Sequence, residues 1–259
     1  MNFFFFLDHT DSNLVSSVNI FNKPPSITWA NYKLEDCHLV AFFSDGSKWN
    51  FEKIGVLKEG NSIKISKKDL PKHFLDKSVF VSIFLKYHDD VNSLFNQEYM
   101  YSIPNWRSNI QISSQYTSTS FQGEYPLAML KRKVSILSCT PMISDESNVQ
   151  KYFYLVNINQ NPKKESFNVN ILNIKKQKLC NFKCITNTVN LIDINNLNKN
   201  FAEKMYIFSS DENGGVPIYF SKDRENKSMS LEHTHPPTEY VFLGNKNYFQ
   251  KRKKNFWYK

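Results

Sequence analysis

The chain has 259 residues, 41% of them hydrophobic and 15% aromatic, with 33 basic against 24 acidic side chains and a formal charge of +9. That much apolar material excludes wholesale disorder and fits one large or two medium domains. The seven glycines, at 46, 55, 60, 123, 214, 215 and 244, form neither G-x-G-x-x-G nor a Walker-type loop, so ordinary nucleotide-binding folds have no support. No G-x-S-x-G nucleophile elbow occurs either.

The first element is the run Phe3-Phe4-Phe5-Phe6. It has no basic segment before it, is too short for a leader, and meets Asp8 at once, so it reads as a buried N-terminal strand. No stretch approaches the roughly eighteen apolar residues of a membrane span. Strands are predicted at 26–29, 38–43, 49–51, 79–87 and 99–103, where β-branched and aromatic residues gather. Ser44-Asp45-Gly46-Ser47 and Glu59-Gly60-Asn61 mark turns, because glycine reaches positive φ without strain. A short helical turn is predicted from Ser66, with Asp69 three residues on and Pro71 limiting its length. Strands at intervals of about ten residues predict a β-sandwich over 1–108. His38, His73 and His88 share no spacing and read as incidental.

Residues 109–125, NIQISSQYTSTSFQGEY, turn to Ser, Thr and Gln and are expected to form a linker or bridging strand. Trp106 and Arg107 on one side, and Glu124 and Tyr125 on the other, are candidate ligand-binding residues. Aromatic faces can stack on a sugar-like ligand while Arg and Glu orient its hydroxyls. The competing reading is that they pin a loop onto the domain.

Strand signals resume over 126–259, at 134–137, 152–158, 167–174, 191–194, 205–208 and 216–220, and predict a second β-sandwich-like domain. A short helix is expected within 195–204. The 216–220 strand and a strand from Ser228 are expected to pair as a hairpin over 221–227. Cys37, Cys139, Cys180 and Cys184 form no disulfide or zinc framework; reduced thiols in a cytoplasmic protein fit best. The tail carries Lys251-Arg252-Lys253-Lys254 among aromatics, which predicts weak polyanion binding or docking onto the domain.

Chemistry concentrates in Ser228–Gly244, SMSLEHTHPPTEYVFLG. If the first half is extended, Met229, Leu231, His233 and His235 share one face, and Ser230, Glu232 and Thr234 the other. Beyond the rigid Pro236-Pro237 link, Glu239 heads a second apolar line through Val241 and Leu243. Two imidazoles and a carboxylate suit one divalent metal (Zn, Fe, Mn or Ni) and leave coordination positions open. The segment HTHPPTEYVFLG resembles the first metal motif of the cupins. The resemblance implies a metal held by His233, His235 and Glu239 in a small β-barrel, and it covers that segment alone. The same residues read otherwise as a hydrogen-bonding cluster at a strand end.

The chain therefore reads as all-β, with two sandwich-like domains. One function is a divalent-metal protein that acts on or binds a small polar ligand such as a sugar derivative. The alternative is a non-catalytic carbohydrate-binding or protein-interaction module of tandem sandwiches. Whether it is an enzyme stays open, because no partnered general base stands outside the His233 cluster.

Overall fold

The computed structural model describes residues 2–22, 35–96, 109–122, 125–126, 136–139, 148–173, 175, 177–197, 207–210 and 213–233. The predicted strands at 26–29 and 99–103 lie outside them. The fold is all-β, with four antiparallel sheets distributed over two units. One unit comprises 1–130 with 159–164 and 187–189; the other takes the remaining residues.

In the first unit, β1 (Asn2–Phe5) is followed by β2 (Val15–Phe21), β3 (Cys37–Ser44), β4 (Trp49–Leu57), β5 (Ser62–Ser66) and β6 (Phe80–Phe84). Next come α1 (Val91–Phe95), β7 (Asn109–Ser113), β8 (Ser118–Gln122) and β9 (Tyr125–Pro126). Phe3, Phe4, Phe5 and Phe6 are wholly buried, so β1 hides both of its faces. That explains its continuous apolar run, and it sits inside the sheet ordered β4-β3-β6-β1-β9. On one face the rings of Phe3 and Phe42 lie 5.9 and 5.8 Å from Phe95, which α1 lays across them. Asp90 caps that helix by accepting the Ser93 amide at 2.8 Å. On the other face the Phe43 ring meets Phe74 edge-on at 5.4 Å.

The second sheet, β5-β2-β7-β8, turns an apolar face inward. Val18 pairs with Ile65 and Ile110, and these three are buried with Ile20 and Ile112, while Lys64, Gln111 and Ser120 fall on the opposite face. The stretch 109–125, expected as a linker or bridging strand, supplies the β7–β8 hairpin and β9 to this unit. Its Ser, Thr and Gln content follows from lying at a sheet edge with one face outward. Gly46 and Gly60 have φ of +99° and +73°, as their turns require. Asp45 Oδ1 closes the first turn by accepting the Ser47 and Lys48 amides at 2.8 and 2.9 Å. The 3-10 turn Lys67–Asp69 stands where a helical turn was expected, with the Asp69 carboxylate accepting the Ser66 amide at 3.0 Å.

The second unit contains β10 (Ile136–Cys139), β11 (Val149–Asn157), β12 (Ser166–Leu172), β13 (Lys178–Ile185), β14 (Thr188–Asp193), β15 (Ile207–Ser209), β16 (Val216–Asp223) and β17 (Met229–His233). Its sheets are ordered β10-β15-β12-β13 and β14-β11-β16-β17. One core joins them. Phe153, Leu155 and Ile192 come from the second sheet, and Phe167, Val169, Ile171, Cys184 and Phe208 from the first. Phe153 stacks on Phe208 at 4.0 Å across that core. The expected β16–β17 hairpin is present, registered from Lys222 opposite Met229 to Ile218 opposite His233. Residues 195–196 form a turn, Leu197 is helical, and the rest of the helix expected in 195–204 lies outside the described residues.

Candidate ligand cleft

Most of the residues chosen from sequence lie outside the described ones: Trp106, Arg107, Glu124, His235, Glu239, Lys251, Arg252, Lys253 and Lys254. Tyr125 is placed by its backbone, opposite Phe3 in the β1–β9 pair. His233 is the last residue of β17 and occupies the position opposite Ile218. Among the described residues, no three His, Cys, Asp or Glu side chains gather as a metal set.

The described structure holds instead a cleft of about 260 Å³ in the first unit. Three pieces of chain form it: Leu7, Asp8 and His9 after β1; Leu14, Val15 and Ser16 at the start of β2; and Ser66, Lys67, Lys68 and Leu75 around the 3-10 turns. The local sequence explains their convergence. The apolar run of β1 ends at Leu7, and the polar Asp8-His9-Thr10-Asp11 turns the chain toward β2. The Leu7 amide then donates to Ser16 Oγ at 2.7 Å, so the first two walls are hydrogen-bonded to each other. The third wall follows from the pairing of Ser66 with Ser17, which carries Lys67 to the cleft.

The polar groups of the cleft differ in how they are held. Lys67 Nζ donates to the Asp8 carboxylate and forms an ion pair with it. Burial disfavours the charged carboxylate and holds the Asp8 pKa above its ordinary value of 3.8, although the bond from Lys67 works the other way. His9 Nδ1 accepts the Asp11 amide at 2.9 Å, which places the ring proton of neutral His9 on Nε2. Ser66 Oγ is buried, faces the Asp69 amide in the capping box of the 3-10 turn, and donates to no acceptor among the described residues. Leu7, Leu14 and Leu75 supply apolar wall between these groups. The arrangement offers a cation, hydroxyl groups and an apolar floor in one concave site, which is the composition of a small-molecule site.

Sequence reasoning assigned none of these residues to a site, reading Asp8 only as the end of the apolar run and Ser66 only as a helical-turn start. The available signal was a charged cluster directly after the most apolar run of the chain, together with Lys67-Lys68 after the buried end of β5.

The Cys37 and Cys184 thiols are pushed up to about 11 and about 12 by burial, which leaves them protonated and inert. The His73 ring sits 4.3 Å from Phe74, with its Nε2 3.3 Å from the Glu52 carboxylate on the surface. No protein-family model, curated protein or solved structure matches the chain.

Proposed function

We propose that this chain is a binding protein built from two β-sheet units, and that its ligand site is the cleft between Leu7–His9, Leu14–Ser16 and Ser66–Lys68. The observation that carries this reading is the convergence of the Asp8–Lys67 pair, the buried Ser66 hydroxyl and three leucines on one cavity. Small-ligand sites combine a largely apolar wall with a few fixed polar groups in this way. A library of small polar compounds, followed by thermal shift, tests it. Compounds that stabilise the protein are expected to lose their effect in Leu75→Trp, which fills the cleft from a residue already 42% exposed. Ligands that stabilise wild type and this variant equally would place the site elsewhere.

A second reading is a divalent-metal site at His233, His235 and Glu239. One observation favours it. In the β16–β17 register His233 stands opposite Ile218, which is buried, and two positions on from the buried Leu231. Elemental analysis of protein purified without chelator tests it, with His233→Ala as the control. Bound metal is expected to fall away as pH drops through about 6.5, where free imidazole protonates. Absence of stoichiometric metal, with no thermal shift on adding zinc, iron, manganese or nickel, would remove this reading.

A further inference from the structure

The ligand class of the cleft follows from how its one ion pair is built, and it rests on the cleft being the binding site. The Lys67 side chain is 15% exposed and that of Asp8 is 42% exposed. The cation is therefore the more enclosed partner, and the half-buried carboxylate is the more exposed and replaceable one. We propose that the cleft binds a small carboxylate with a short apolar stem, which takes the place of Asp8 on Lys67. Asp8 is in effect the intramolecular occupant of a carboxylate position. A ligand carboxylate seated there gains the Lys67 ammonium and can take the Ser66 hydroxyl as a second donor. The stem lies along Leu7, Leu14 and Leu75.

The charges around the position agree with an anion. Lys67 and Lys68 line the cleft, and Asp8 is the only carboxylate among its described lining residues. Asp69 is engaged with the Ser66 amide, and Asp76 with Lys77 at 2.6 Å, although Asp76 still lies within electrostatic reach of Lys67. The amide of Asp11 is committed to His9. His9 gives the only ring among the cleft's described lining residues, and no Phe, Tyr or Trp stands there to stack on a sugar. The volume of about 260 Å³ falls below the range of about 300–1,000 Å³ typical of drug-sized ligands, which favours a short chain.

The test is a titration at pH 7 of the full chain with butyrate, butyramide and inorganic phosphate, followed by calorimetry. Butyrate is expected to bind one to one and butyramide to bind far more weakly. Asp8→Asn removes the competing charge while keeping the shape, and should tighten butyrate by about tenfold, the scale of one close like-charge repulsion. Lys67→Met should abolish butyrate binding, with the melting temperature checked in both variants. Equal binding of butyrate and butyramide would overturn the carboxylate proposal and leave the cleft as a neutral polar site. Phosphate binding in preference to butyrate would overturn the apolar stem. If all three fail to bind to folded wild type and to folded Asp8→Asn, the carboxylate proposal falls. The cleft reading falls with it only if the compound library also leaves the cleft untouched.

Discussion

The Leu7 amide reaches nine residues along the chain to donate to Ser16 Oγ at 2.7 Å, in surroundings closed to water. The bond ties the end of β1 to the start of β2 and fixes two walls of the cleft. Ser16→Ala leaves that amide buried and unsatisfied, a loss of about 1–3 kcal/mol. Urea unfolding should show this destabilisation, and cleft ligands should bind more weakly to the folded variant. A change below a few tenths of a kcal/mol would mean that water replaces the hydroxyl.

Gly215 is expected to tolerate no side chain. A methyl group there would lie 2.4 Å from the Val156 carbonyl oxygen and 2.7 Å from Leu155 Cδ1, and backbone cannot swing aside as a flexible side chain can. Gly215→Ala should destabilise the protein by about 1–3 kcal/mol, the range for inserting a methylene into a packed site. Equilibrium denaturation measures it. An unchanged midpoint would show that the β11–β16 pair relaxes freely.

Asn187 is wholly buried, with φ of +56°. Its Nδ2 donates to the Asn161 and Lys163 carbonyls at 2.8 and 3.1 Å, and its Oδ1 accepts the Asn159 amide at 2.6 Å. Asn187→Gly keeps the backbone comfortable and removes all three bonds, so it isolates the side chain from the φ requirement. A loss of about 2 kcal/mol or more is expected in Asn187→Gly, since buried partners are left unsatisfied. Near-wild-type stability of the glycine variant would assign the role to φ alone.

Alkylation should sort the described cysteines by burial. Cys37 and Cys184 are fully buried with raised pKa values, so almost no thiolate forms at pH 8. Cys180 is partly exposed, and burial raises its thiol by a smaller amount. Iodoacetamide followed by peptide mapping should label Cys180 well before the other two. Labelling of the buried pair should speed up only near their pKa values or on unfolding. Early labelling of Cys184 would contradict its place in the core.

Strands with strong apolar character were legible in the sequence: the Phe3–Phe6 run, β3, β11 and the β16–β17 hairpin all follow from pattern and turn residues. β2 escaped because Ser16 and Ser17 interrupt VSSVNIF, yet both are buried as hydroxyl-bearing members of the sheet. β13 escaped because KLCNFKCI alternates charge and apolar groups at a sheet edge, where only Cys184 is fully buried. The five-residue α1 is too short to show a helical period and is set by its Asp90 cap and by packing of Phe95. The cleft left charged clusters as a signal, but its assembly was not legible. Asp8 and Lys67 are 59 positions apart, and only strand register brings them together.

The claim that this cleft is the ligand site is tested most directly by amide chemical shifts. Isotope-labelled protein would be titrated with the small polar compound that stabilises it best. Saturable shifts are expected at Leu7–His9, Leu14–Ser16 and Ser66–Lys68, lost together in Leu75→Trp. Saturable shifts that spare these residues and map to the second unit would contradict the account.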